Sequence, residues 1–140
     1  MWMRVNLEMQ LAQLAGQRGD LEVAARHARE ALPDLLLIGA LDDAMDARSL
    51  VALDAIRRGD LTLAEEMADA NTTGTDGVWS AGGATVTLAV RAEVALARGD
   101  IDLGLRTYRE MATAMARPVP EFGVMIAFFA LYGLANAAAA

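Results

Sequence analysis

Apolar and small residues recur along this chain at two spacings, a helical one and a much longer one. At an offset of forty residues Ala12, Ala52 and Ala92 coincide, as do Ala15, Ala55 and Ala95. Further along, Leu21, Leu61 and Ile101 fall in register, then Val23, Leu63 and Leu103, then Ala24, Ala64 and Gly104, then Ala28, Ala68 and Tyr108. Between the two sets stands the same tripeptide each time, at Arg18-Gly19-Asp20, Arg58-Gly59-Asp60 and Arg98-Gly99-Asp100. Spacings of three and four within each flank predict amphipathic helices. Agreement on both flanks makes the repeating unit a helix pair with the tripeptide as its hinge.

Each residue of the hinge has a physical role. Glycine adopts the left-handed conformation that closes a helix, at which other residues lose about 1 kcal/mol or more. Arginine in the last turn faces the negative end of the helix dipole. Aspartate suits the N-cap of the next helix, where its carboxylate accepts from free backbone N–H groups. The adhesion signal spelled by the same letters needs an extracellular protein and a protruding loop, and nothing else in the sequence supplies either. Caps and periodicity together predict helices near 3–17, 21–32, 41–57, 61–71, 80–97, 101–116 and 121–138. The predicted connectors are Pro33 with the Gly39 region, the polar stretch from Asn71 to Gly77, and Arg117 to Pro120. Asn71-Thr72-Thr73 has the form of a glycosylation acceptor but is expected to be only a polar loop.

This pattern resembles the tetratricopeptide (TPR) repeats. Their consensus has a small residue midway along the first helix, Gly-Asp at the turn and alanine four residues after that Asp. The matching residues are Ala12, Ala52 and Ala92, the three Gly-Asp pairs, and Ala24 and Ala64, with Gly104 in the third copy. The period departs from the family's usual thirty-four residues, and no proline closes each unit. The resemblance implies an all-α fold, a TPR-like α-solenoid of about three and a half antiparallel helix pairs with a forty-residue period, forming a single domain over 1–140. It also implies a concave groove lined by the first helix of each pair: Asn6, Met9, Gln13 and Gln17, then Asp46, Ser49, Leu53 and Arg57, then Val86, Ala89 and Glu93. On that reading an amphipathic helical segment anchors on Met9 and Leu53, with Gln13 and Arg57 making polar contacts. The Lys and Asn clamp with which some TPR co-chaperones hold a C-terminal carboxylate is absent.

In the third unit, "ALARGDIDLGLRTYREMATAMARP" (Ala95 to Pro118) is similar to the C-terminal helical repeats of large ATP-dependent transcriptional activators from GC-rich bacteria. The likeness implies the signal-receiving or assembly part of such a regulator. Continuing the repeat places the next hinge at residues 138–140, so the chain reads as a fragment of a longer one. The segment Phe122 to Ala140 carries no charge and reaches spanning length, but its Gly, Asn and Ala content and the lack of flanking basic residues favour a core helix. That apolar helix at the end of a solenoid is also a candidate dimerisation surface.

Composition narrows the chemistry. With 55% hydrophobic residues in 140, the chain can bury one good core. There is no cysteine, which excludes disulfides, thiol nucleophiles and zinc sites built on Cys ligands. No secretory signal is visible, because Arg4 and Glu8 interrupt the first apolar residues. A cytoplasmic protein is expected. His27 is the sole histidine, so a catalytic triad or an imidazole-rich metal site has no second member. Asp42, Asp43 and Asp46 crowd one helix start, where the dipole explains them more simply than a cation does. Glu65, Glu66 and Asp69 read as a solvated face, and the methionines, Met111 and Met115 among them, as core. "AGGATV" (Ala81 to Val86) lacks the lysine that a phosphate cradle requires.

Charge is uneven. Between Leu41 and Asp76 there are nine acids against three arginines, whereas the whole chain has a net charge of −7. Such a field repels nucleic acid and favours a basic partner. The sequence therefore reads as a non-catalytic scaffold for protein–protein interaction, with no enzyme activity, no cofactor, no direct nucleic-acid contact and no membrane contact expected. Self-association through the last helix and a small-molecule sensor pocket are the alternatives.

Overall fold

The computed structural model describes residues 1–72 and 81–115, and all regular structure in them is helical. The elements are α1 (Trp2–Gln17), α2 (Leu21–Ile38), α3 (Leu41–Arg57), α4 (Leu61–Thr72), α5 (Ala81–Ala97) and α6 (Ile101–Met115). The predicted helix over 121–138, the connector at Arg117 to Pro120 and most of the Asn71 to Gly77 connector lie outside the described residues.

The tripeptides are hinges, and one geometry serves all three. Gly19, Gly59 and Gly99 have φ of 80°, 81° and 84°. Each glycine N–H bonds back to a carbonyl of the last turn, and the following aspartate N–H reaches one residue further, to Ala15, Ala55 or Ala95 at 3.0, 2.8 and 2.9 Å. This pair of bonds satisfies carbonyls that the helix end would otherwise leave open. The same aspartates then open the next helix: the side chains of Asp20, Asp60 and Asp100 accept from the N–H of Val23, Leu63 and Leu103 at 3.2, 3.1 and 3.0 Å. One residue thus closes a helix with its N–H and starts another with its carboxylate.

The second helix runs further than expected. Pro33 sits inside α2, which continues to Ile38 and ends at Gly39 in the left-handed conformation, φ 74°. A proline in a helix interior removes one hydrogen bond and costs roughly 3 kcal/mol in an exposed helix. Here Pro33 is on the solvent side while Ala31 and Leu35, on either side of it, are buried. Packing of those two holds the turn that the proline weakens. The extension also carries Leu36, Leu37 and Ile38 to the surface.

Hydrophobic packing is serial. Val5, Met9, Ala24, Ala28, Leu35, Ala47 and Leu50 join α1, α2 and α3 in one cluster. Ala52, Ala55, Ala64, Ala68, Val90 and Val94 join α3, α4 and α5 in a second. Val86, Ala89, Ala92, Tyr108 and Met111 tie α5 to α6. Leu63 and Met67 touch the first two clusters, and Leu53 the last two. Each helix packs on its neighbours in the chain, and α1, α3 and α5 also pack side by side, whereas among the described residues α2 does not touch α4, nor α4 α6.

Small residues at the crossing points set how closely the pairs approach. In register, Gly16 precedes Ala24, Ile56 precedes Ala64, and Leu96 precedes Gly104. A Cβ on Gly104 would lie 2.6 and 2.7 Å from Leu96 Cδ2 and Cγ. The third unit therefore has glycine where the other two have alanine because Leu96 occupies the space of the missing methyl group.

Two outcomes test these joints. Gly59→Ala is expected to destabilise by about 1 kcal/mol through backbone strain alone, since nothing lies within 4 Å of the added Cβ; Asp60→Ala is expected to cost about 0.5–2 kcal/mol through the lost cap. Chemical denaturation followed by circular dichroism measures both, and wild-type midpoints would refute the hinge. Gly104→Ala is expected to cost about 1–3 kcal/mol by overpacking, and Leu96→Ala in the same chain should return part of that loss. Strict additivity in the double-mutant cycle would show that the two residues do not share the space.

Candidate functional site: the face of the odd-numbered helices

The eleven groove positions split by burial. Asn6, Gln17 and Arg57 are exposed, and Gln13, Asp46, Leu53 and Glu93 are half-buried. Met9, Ser49, Val86 and Ala89 are buried. Met9, only 3% exposed, packs in the first core cluster. It therefore offers a partner no protruding anchor and can contribute only through the wall of a cleft. Val86 and Ala89 are likewise core, in contact with the cluster that holds Tyr108. Glu93 is engaged within the fold, accepting a hydrogen bond from the Tyr108 hydroxyl.

Ser49 belongs to a buried polar junction rather than to a surface. Its Oγ donates to the Met45 carbonyl at 2.9 Å. Asn71, 1% exposed and in the last turn of α4, donates from Nδ2 to the Met45 carbonyl at 3.3 Å, to Ser49 Oγ at 3.4 Å and to Thr87 Oγ1 at 3.2 Å. Arg48 donates to the Asn71 side-chain oxygen and to the Ala70 carbonyl at 3.4 and 3.2 Å. Asn71 is thus not part of a loop. It is the pin between α3, α4 and α5, and its burial closes the amide to glycosylation.

Arg57 and Arg58 converge on the buried Asp54. Its side chain, 2% exposed, forms an ion pair with Arg58 Nε at 3.0 Å and accepts from Arg57 at 3.3 Å and from Arg29 of α2 at 3.4 Å. A carboxylate so buried needs such neutralisation. Arg58 therefore does more than face the dipole of α3, and Arg57 reaches a partner only while shared with Asp54 and the exposed Glu22 at 3.8 Å. His27 pairs with Glu8 across α1 and α2 at 2.6 Å, a structural contact at the half-buried edge.

The structure does bring the groove positions of α1 together. Asn6, Met9 and Gln13 line a cleft of about 110 Å³ between α1, the end of α2 and the start of α3. Trp2, Val5, Gln10, Leu35, Ile38, Ala40 and Asp43 complete its walls. Trp2, Ile38 and Asp43 were missed from the sequence. The helical spacing of Trp2 with Asn6, Met9 and Gln13 was a usable signal, but ending α2 at residue 32 hid Ile38.

Just above this cleft the carboxylates at the start of α3 are crowded. Burial, then Asp43 and Asp42, push the Asp46 carboxyl up to about 7. Burial and Asp42 raise Asp43 as well. Among the described residues, no group of three or more His, Asp or Glu is placed to hold a metal ion. Nor is any helix among them long and apolar enough to cross a membrane; the apolar segment from Phe122 lies outside the described residues, as does the self-association surface assigned to it.

A second, larger cleft of about 660 Å³ opens where α4 and α6 stand apart over α5. Its floor includes Ala68, Leu88, Val94 and Ala95, and its rim carries ion pairs between α4 and α5: Arg98 forked onto Glu65, and Arg91 to Asp69 at 3.5 Å. Of the acids expected to form a solvated face, Glu65 and Asp69 are thus paired, and Glu66 has no such pair among the described residues. The outer side of α1 presents Met3, Leu7, Leu11 and Leu14, 79, 59, 37 and 45% exposed, on one stripe. In comparisons with known proteins, no family model, no curated protein and no solved structure matches this chain.

The raised Asp46 gives a pH signature. Its folded pKa near 7 lies above the ordinary 3.8, so the native state holds this proton more tightly than the unfolded chain. The stabilisation is complete below about pH 4 and is lost as pH rises through about 7. Asp46→Asn is expected to flatten that slope and to be more stable than wild type at pH 8, by about 1–3 kcal/mol, with near equality at pH 4. Urea midpoints across this range measure the difference, and parallel curves would show that Asp46 titrates normally.

Proposed function

We propose that the chain is a helical-repeat interaction module, a TPR-like solenoid that binds a protein segment on the face formed by α1, α3 and α5. The observation that carries this reading is the serial core, three clusters each confined to neighbouring helices and joined through hinges of one geometry. Packing only on neighbours is the signature of repeat architectures. Such folds offer an extended face instead of an enclosed pocket. The exposed or half-buried Asn6, Gln13, Gln17, Leu53 and Arg57 give that face amides, one cation and an apolar spot suited to an amphipathic helix. The likeness of the third unit to bacterial ATP-dependent activators makes another part of such a regulator the first partner to test.

Leu53 touches two clusters, so the test uses exposed positions. Asn6→Glu and Gln17→Glu together should reduce retention of a partner at least tenfold in quantitative pull-down, then in titration with the purified partner, with helical content unchanged. Glu66→Arg, on α4, should leave retention intact. The opposite pattern would place the binding surface on the even-numbered helices and refute the assignment.

A further inference from the structure

The cleft between α1 and α3 has one charged residue in its lining, Asp43, and an aromatic ring at its mouth, Trp2. Its other polar walls include the amides of Asn6 and Gln13. None of Asp43, Asn6 and Gln13 has a hydrogen-bond partner among the described residues. The floor, Met9 and Ile38 among it, is apolar. A carboxylate and two amide oxygens are acceptors in want of donors, and a tryptophan face attracts a cation. The apolar floor suits methylenes. This combination matches an alkyl stem ending in a guanidinium or ammonium head.

From these features we propose that the cleft receives an arginine or lysine side chain from the protein segment bound on the α1–α3–α5 face. The inference rests on the scaffold reading and adds the residue by which the partner is recognised. The size fits. A cavity of about 150 Å³ holds a benzene ring, and a guanidinium with its last methylene needs less than that, as the 110 Å³ here supplies. The surroundings favour the same sign of charge, because Asp42 and Asp46 flank Asp43 on α3 and a cation relieves the repulsion among the three. A partner's carboxylate or phosphate could accept from the amide NH2 groups but would be repelled by Asp43 and its acidic neighbours. Among the described residues no arginine of the chain itself lines the cleft.

The experiment uses the whole chain and two short alanine-based helical peptides, one with a single arginine and one with citrulline, its neutral isostere, in that place. Chemical shifts of the Trp2 indole and of the Asn6 and Gln13 side-chain amides report binding, with Trp2→Phe and amide variants for assignment. The arginine peptide should shift these signals saturably, the citrulline peptide should bind at least tenfold more weakly, and raised salt should weaken only the former. Asp43→Asn should lose a similar factor and still fold, since it removes a repulsion, while Asp102→Asn on α6 should match wild type. Equal binding of the citrulline peptide, an unaffected Asp43→Asn, or no saturable shift at these three residues would each overturn the proposal. Free arginine amide binding as tightly as the peptide would overturn the protein-segment assignment in favour of a small cation site. The probe needs no natural partner, so these outcomes are read separately from the pull-down that tests the scaffold itself.

Discussion

Close approach of helix backbones is the constraint from which the remaining architecture follows. Ala12, Ala24, Ala28, Ala44, Ala47, Ala52, Ala55, Ala64 and Ala92 have no measurable exposure. A methyl group buries little apolar surface, at about 25 cal/mol per Å², so an alanine seam holds only if neighbouring helices come near enough to pack main chain against main chain. That proximity requires sharp, identical reversals between helices. The left-handed glycines and the doubly employed aspartates supply them. It also makes the few large core residues, Leu35, Met45, Leu50, Tyr108 and Met111, decisive for filling what alanine leaves open.

This is why the hinges and most helix limits could be read directly from residue patterns. A turn made of glycine at positive φ and an aspartate cap has a local chemical identity, and its three copies reinforced one another. The α3 limits agree with expectation residue for residue, those of α1 within one, and the starts of α4 and α6 and the end of α5 fall where expected; the remaining limits border residues outside the described ones. Two failures share a cause. Pro33 and Asn71 were read as breakers by their local preference, and in each case burial overrode it: Leu35 and Ala31 hold α2 across the proline, while three acceptors hold the Asn71 amide inside α4. Whether a polar side chain finds buried partners is set by helices distant in sequence, which no window of residues displays.

The groove was legible only as a register. Placing Asn6, Met9 and Gln13 on one face of α1 was sound, but periodicity cannot tell a residue at the rim of a face from one beneath it. Met9 and Val86 fall on the inner side of that division and Asn6 on the outer. The same limit applies to residue 54. In register with it stand Leu14, which is exposed, and Val94, which is buried, so the repeat pattern does not say on which side residue 54 falls. The second unit instead buries a carboxylate there and surrounds it with Arg29, Arg57 and Arg58. A buried ion pair of this kind is seldom more stabilising than the valine of the third unit. Its effect is to fix α2 against α3 through groups that tolerate only one alignment.

Counting charges along the chain located the acidity between Leu41 and Asp76 but not which of its carboxylates the fold pairs. The stretch from Leu41 to Asp76 is strongly acidic in sequence, yet Arg29 comes from α2 to Asp54, and Arg91 and Arg98 come from α5 to Asp69 and Glu65. These arginines lie outside the counted stretch and discharge much of α4 and the end of α3. Among the described residues they leave without an ion pair the start of α3, Asp60 and Glu66. Asp42, Asp43 and Asp46 lie within about one helical turn at that start, Asp46 half-buried and the other two exposed, with burial first and neighbouring carboxylates second holding the carboxyls of Asp43 and Asp46 above their ordinary range. Among the described residues, the start of α3 therefore sets unpaired carboxylates beside the small cleft of α1 and α3, and that is where the proposed cation of a partner would be selected.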